Sequence, residues 1–326
     1  MRRIALAAFA FALALASLGI LADSARAQSS RESGFDLLRM EPSARAAALA
    51  GTVGPVESED PTAVYYNPAL LTDAMHRGLS LGYLNHLADV NAGFVSYART
   101  LPRVGTLAVG VRFLSYGSFE YADEGGVRNG STFGASEAAL SVTVSRELTE
   151  SLRGGATVHA AFATIEEASA QALAADLGVR YEAPGGFGVS ASVHHLGTTL
   201  NSLGETTDDR LPLDFRLGVA KRLAHIPLTI SLMGYNLHSY DGDGSALDEA
   251  LRHVAIGGEF RFGQPVSVRF GYNPRRHEEL SDGGRLDLAG VTAGFGINLR
   301  RVVFDYAYNA WSSFGGLHQL SVRTRI

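Results

Sequence analysis

The stretch Gly263–Asn273, GQPVSVRFGYN, decides the fold. Val266, Val268, Phe270 and Tyr272 fall on one face of an extended chain, and Ser267, Arg269, Gly271 and Asn273 on the other. Side chains alternate across a strand with period two, so this is a strand with two unlike faces. In AADLGVRY, Leu177, Val179 and Tyr181 likewise oppose Asp176, Gly178 and Arg180. In VVFDYAYN, Val302, Phe304, Tyr306 and Tyr308 oppose Asp305, Ala307 and Asn309. From Gly78 to the end the pattern predicts about fourteen such strands, each roughly ten residues long and bounded by turn signals. Short connections such as LPRVG, LTES and APGG alternate with long polar ones at Glu120–Ser136, Gly197–Leu211, Tyr240–Glu249 and Pro274–Gly284.

The apolar face carries no charge through the strand middles. The other face carries Arg112, Asp176, Arg180, Asp214, Arg216, Glu259, Arg261, Arg269, Asp287 and Asp305. A basic residue facing mid-bilayer lipid costs about 2–4 kcal/mol, so these charges belong in a lumen. A soluble β-sandwich also alternates, with its charged face in water. The even strand count, the alternation of short and long connections and the tyrosines near strand ends favour the membrane instead. The expected fold is all-β: a transmembrane antiparallel β-barrel of about 14 strands over residues 78–326, preceded by a short N-terminal plug. Its long loops are then extracellular and both barrel ends lie on the periplasmic side.

The address agrees. Met1-Arg2-Arg3, an apolar run from Ile4 to Ala22 and Ala25-Arg26-Ala27 form the n-region, h-region and cleavage site of a signal peptide over residues 1–27. A spanning anchor is the rival, since the run is long enough to cross, but no stop-transfer cluster follows it. The chain has no cysteine, which excludes a lipoprotein anchor, disulfides and thiolate metal sites. The leader carries a net +2, so cleavage takes the chain from −5 to −7. An acidic chain with no basic run argues against a nucleic-acid partner.

Residues 28–77 contain no useful period-two run. PSARAAALAG, Pro42 to Gly51, predicts one or two helical turns with Ser43 as N-cap and Gly51 just past the end. DPTAVYYNPALL, Asp60 to Leu71, has prolines at 61 and 68 that fix φ and block strand pairing. Asp60 caps a turn starting at Pro61, and Asn67 before Pro68 suits another. Leu70 and Leu71 anchor by burial. Irregular backbone is tolerated at membrane depth where protein surrounds it, so this segment reads as a hatch inside the barrel.

Catalytic chemistry finds little support. His159 lies within one strand and His194-His195 at the end of another, and no G-x-S-x-G elbow is present. These histidines read as polar lumen or rim residues, and the chain as no enzyme, with no cofactor or metal site. Asp241–Glu249, DGDGSALDE, imitates a calcium loop but has Ala246 at the sixth position and Arg252 at the twelfth. GFGVSA and AGFGINL lack a dinucleotide turn; their glycines relieve crowding in a curved wall or against a plug. The stretch Tyr121–Glu137 reads as the longest surface loop. Tyr121, Asp123, Glu124, Arg128 and Asn129 are its candidate partner-binding residues.

PSARAAALAG followed by Asp60 and Asn67–Leu71, NPALL, resembles the PorV/PorQ family of FadL-like outer-membrane barrels associated with type IX secretion. NHLADVNAGFVSYART, FLSYGSFEYADEGG, STFGASEAALSVTVSREL and LAADLGVRYEAPGGFGVSASVHHLG are similar to its PorQ branch in particular. The resemblance implies a structural anchor in an attachment complex. Its partners would be a PorZ-like surface protein, PorU-like and PorV-like members and lipopolysaccharide, besides the outer-membrane lipid itself. One departure is Ile326 at the last position, where such barrels usually carry an aromatic residue. The alternative is a FadL-like transporter of hydrophobic small molecules. That function needs an apolar pocket and a lateral opening at a kinked strand, whereas the charged lumen face suits a filled interior.

Overall fold

The computed structural model describes residues 34–56, 59–85, 90–122, 125–204, 210–237, 250–263, 265–281, 287–311 and 315–326. Residues 1–27, where a signal peptide is expected, together with residues 28–33, Asp123, Glu124 and the calcium-like stretch Asp241–Glu249, lie outside them. Fourteen antiparallel strands close into one barrel, each paired with its sequence neighbours and the first with the last. They are β1 (Gly78–Asn85), β2 (Asn91–Leu101), β3 (Gly105–Ala122), β4 (Arg128–Thr149), β5 (Leu152–Ile165), β6 (Ala168–Ala183) and β7 (Phe187–Asn201). The second half comprises β8 (Asp214–Arg222), β9 (Leu228–Gly234), β10 (Val254–Phe262), β11 (Val266–Tyr272), β12 (Val291–Leu299), β13 (Val302–Ala310) and β14 (Gly316–Arg325). Closure pairs Gly78 with Arg325 and Asn85 with His318, so neither the first nor the last strand is a free sheet edge.

The polarity is inside-out. Arg112, Asp176, Glu259, Arg269 and Asp305 are each no more than 3% exposed, while Phe113, Leu140, Val142 and Phe270 are 46% exposed or more. Water would expel such a belt of Val, Leu and Phe, so its solvent is hydrocarbon and the charges are sealed from it. The soluble sandwich is thereby excluded.

Two expectations need correction. A spanning strand takes about 9–11 residues, yet β3 and β4 run 18 and 22. Tyr121 therefore belongs to β3, and Arg128 and Asn129 to β4; the supposed long loop is a hairpin standing above the bilayer. Its ladder continues because Phe119 pairs with Phe133, their rings 5.4 Å apart, and Arg128 meets Glu120 at 2.8 Å. Register shifts between Ser115 and Ser118 and between Glu120 and Ala122 break the alternation, which hid these strands. Asp287 precedes β12 rather than facing the lumen from a strand, and accepts from Ala289 N at 2.9 Å.

Residues 34–77 run through the lumen. Phe35, Leu37 and Leu38 pack with Leu84, Phe94 and Leu114 toward the long-loop end. At the short-turn end, Arg77 O accepts from Ile326 N at 2.9 Å. Between them lie helix α1 (Ala44–Ala48) and short 3-10 turns at Asp36–Arg39, Pro61–Tyr65, Pro68–Leu70 and Asp73–Met75. Helix α2 (Pro274–Leu280) sits between β11 and β12.

The outward belt generates a direct test. Val142→Arg, in the middle of β4, is expected to destabilise the folded barrel in lipid by about 2–4 kcal/mol, measured by denaturant unfolding in vesicles. A surface-like change below 0.5 kcal/mol would place this face in water.

Candidate functional site

A lumen segment surrounded by a lipid-facing wall finds its hydrogen-bond partners in itself, in the wall or in cavity water, never in lipid. Ser43 caps α1 by accepting from Ala46 N, and Gly51, at φ 81°, turns the chain after it. Pro42 is buried, its carbonyl against Gly82 of β1. Asp60 accepts from Thr62 N at 3.1 Å and from Ser43 Oγ at 3.1 Å, tying the two halves of the plug together. Asn67 accepts from Ala69 N at 2.8 Å, as its position before Pro68 suggests. Its Nδ2 also donates to Ala191 O at 3.0 Å and Val179 O at 3.2 Å, bridging two wall strands. Leu70 and Leu71 are buried with Val53, Val64, Tyr65 and Met75.

The wall is shaped for this contact. A Cβ on Gly178 of β6 would lie 2.0 Å from Asn67 Oδ1, and one on Gly294 of β12 would lie 2.5 Å from Ala48 Cβ. Both glycines admit the plug rather than a bend in the strand.

The strongest attachment is ionic. Arg45 of α1 donates Nε to Glu259 Oε1 at 3.1 Å and Nη2 to Glu259 Oε2 at 2.9 Å. Glu259 also accepts from Arg269 Nε at 2.7 Å; Arg269 Nη1 donates to Asp305 at 2.6 Å, and Arg323 reaches Asp305 at 3.3 Å. Burial works against the Arg45 charge, but Glu259 more than offsets it and holds the guanidinium above its ordinary pKa. The network crosses β10, β11, β13 and β14 and fastens the plug to a rigid wall.

Arg112 takes another arrangement. Its guanidinium carbon lies 4.6 Å over the Tyr65 ring and Nη1 donates to Leu38 O at 3.4 Å. Its Nε and Nη2 have no partner among the described residues.

Two cavities open toward the long-loop end. One, of about 330 Å3, is lined among others by Tyr116, Phe119, Phe133, Ala163, Ile165 and Leu203 of the barrel, with Gly34 and Asp36 from the plug and the Glu137 carboxylate, which accepts from the Tyr116 hydroxyl at 2.5 Å. Burial pushes the Asp36 carboxyl above its ordinary range, with Arg39 acting against it. Below lies an apolar wall of alanines, Ala139, Ala161, Ala163, Ala170, Ala172 and Ala174, running on to Leu211. The second, about 270 Å3, is polar, with Glu41, Asp214, Arg216, Tyr235 and Asn273 among its lining.

The wall is irregular beside these cavities. β7 pairs with β8 only from Phe187–Lys221 to His194–Asp214, although β7 continues to Asn201. Beyond that point Leu211–Leu213, not a strand, completes the wall, with His195 Nδ1 2.8 Å from Pro212 O.

Of the plug residues singled out in the sequence, Pro42, Gly51, Asp60, Asn67, Pro68, Leu70 and Leu71 all lie in the lumen; Arg45 was missed. In the projecting hairpin, the Tyr121 hydroxyl meets Glu166 and Arg128 meets Glu120. The sequence did not reveal the aromatic cavity, because Phe133 lies in the stretch Tyr121–Glu137 that reads as a loop and its pairing with Phe119 is not visible there.

No protein-family model and no curated protein matches the sequence. Solved structures do resemble the fold. The Ralstonia pickettii toluene transporter TbuX superposes with TM-score 0.56 at 14% identity, covering 88% of this chain and 98% of that one. The Pseudomonas putida toluene transporter TodX gives 0.56 at 14% identity, with 89% and 98% covered. The CymD monoaromatic hydrocarbon channel gives 0.52 at 11% identity, with 90% and 99% covered. The chain thus has the closed 14-strand fold of the FadL-like outer-membrane barrels.

Removing one partner of a buried ion pair leaves the other charge stranded. Glu259→Leu, which strands Arg45 and takes one of the two carboxylates of Arg269, is expected to destabilise the folded barrel by about 3–5 kcal/mol, and Arg45→Met, which leaves Glu259 paired with Arg269 and Arg261, by distinctly less. Equal losses in both variants, read by urea unfolding in detergent, would show that Glu259 does not hold the plug.

Proposed function

We propose that this chain is an outer-membrane channel that admits a small apolar molecule of the monoaromatic-hydrocarbon class. The observation that carries this is the aromatic cavity of about 330 Å3 at the long-loop end of the lumen. Its volume lies in the ~300–1,000 Å3 range of small-molecule sites, and its lining is mostly apolar. An apolar solute leaves water there, beside the edge of Phe133 and the projecting hairpin. The alanine wall continues the apolar surface to Leu211. There β7 has lost its β8 neighbour and the short segment Leu211–Leu213 alone closes the wall, so a sideways exit into lipid needs that segment to move but not the clamped plug. The solved structures with this fold include toluene and monoaromatic-hydrocarbon transporters, which agrees with this substrate class.

A second function, anchoring a surface partner in a type IX secretion attachment complex, draws support from a different observation. The β3–β4 hairpin projects beyond the membrane with Tyr121 and Arg128 in ordered strands, and the fastened plug suits a barrel that conducts nothing. The resemblance to the PorV/PorQ family points the same way. Neither function requires a catalytic step.

Ala163→Trp fills the cavity from β5. In cells depending on this barrel for toluene uptake, the variant is expected to lower the uptake rate about tenfold or more, with unchanged barrel abundance in the membrane. Unaltered uptake, together with co-isolation of a PorZ-like protein through the hairpin, would overturn transport in favour of anchoring.

A further inference from the structure

We infer that His159, Asp176 and His195 form a binding site for one divalent transition-metal ion, with Zn2+ the best match to the donor set. The three residues come from β5, β6 and β7, and each is at most 4% exposed. One donor atom from each lies within 4.8 Å of the other two. Two imidazoles and one carboxylate with a fourth position open is a recurrent zinc arrangement.

The backbone explains why these residues meet. Between the pairs Ala175–Leu196 and Leu177–Val193, Asp176 alone of β6 stands opposite both His194 and His195 of β7. That two-against-one step is a β-bulge, a device that re-aims side chains. It holds His195 at φ 58°, a left-handed conformation that L residues seldom adopt, and leaves both histidines buried.

The hydrogen bonds leave the donor atoms poised for a cation. His195 Nδ1 lies 2.8 Å from Pro212 O, and a carbonyl only accepts, so the proton sits on Nδ1 and Nε2 presents a lone pair. His159 Nδ1 lies 2.7 Å from Ser141 Oγ. Its Nε2 stands 2.9 Å from Asp176 Oδ2, yet it has no partner of hydrogen-bond geometry among the described residues. Asp176 is itself oriented: Oδ1 accepts from His195 N at 2.8 Å, and Oδ2 lies 2.9 Å from His194 Nδ1. Such outer contacts fix ligand orientation in metal sites. Asp176 supplies the one anionic donor of the set, which a buried cation requires. His194 Nε2 lies 3.0 Å from Tyr66 O, so the ion would brace three wall strands and, through His194, the seat of the plug.

The test uses the full-length barrel, extracted folded in detergent, stripped with a chelator and dialysed with Zn2+ or Co2+. Bound metal is measured by mass spectrometry, and coordination by the visible spectrum of the Co2+ form. The wild type and the control His253→Gln are expected to retain about one ion and to give the intense spectrum of low-coordinate Co2+. His159→Gln, His195→Gln and Asp176→Asn are expected to weaken binding about 100-fold or more while keeping heat-modifiable migration. Folded wild type that retains no Zn2+ and gives only the pale spectrum of hydrated Co2+ would overturn the inference. So would full retention in the His159→Gln/His195→Gln double variant. If the variants fail to fold, the wild-type stoichiometry and Co2+ spectrum decide alone.

Discussion

Lipid offers no hydrogen-bond partner, so the polar groups inside a lipid-facing barrel depend on one another and on whatever water its cavities hold. The whole interior follows from this constraint. The wall presents Glu259, Arg269 and Asp305 to the lumen, and the plug answers with Arg45. The plug exposes backbone carbonyls at Pro55, Leu71 and Ala48, and the wall answers with Arg180, Arg153 and Thr292. Plug and wall are therefore one folding unit. Neither leaves its polar groups in a tolerable state without the other, since a buried group without a partner costs about 1–3 kcal/mol.

The strands were legible in the sequence because lipid on one side and a polar lumen on the other impose a strict period of two. GQPVSVRFGYN shows it in eleven residues, and β11 lies within that stretch. The signal fails where both faces of a strand are wet. Ser118 to Gly134 is polar, glycine-rich and twice shifted in register, so its strands carry no alternation to read. The local capping of the plug was also legible, since Asp60 and Asn67 act on residues two positions away. Its attachment to the wall was not. Arg45 and Glu259 are 214 residues apart in the chain and only the closed barrel brings them together. Gly178 and Gly294 carried a partial signal, glycine where a strand gains nothing from it, but not the identity of what approaches.

The lumen divides its labour by height. The Glu259–Arg269–Asp305 network sits toward the short turns, while the plug runs the length of the lumen and lines the aromatic cavity with Gly34 and Asp36. The aromatic cavity, the alanine wall and the strand-free stretch at Leu211–Leu213 occupy the part toward the long loops. A charged network that holds the plug and an apolar cavity thus coexist in one lumen. The bulge at His194–His195 stands at the boundary, where β7 parts from β8.

The central claim is that the plug is fixed to the wall rather than resting loosely in a pore. Amide hydrogen exchange on the folded barrel in detergent tests it most directly, because protection reports the free energy of local opening. The account predicts that the amides of Ala47, Gly51 and Ala69 exchange as slowly as those of β10 to β13. Rapid exchange of these plug amides while the strands stay protected would contradict it.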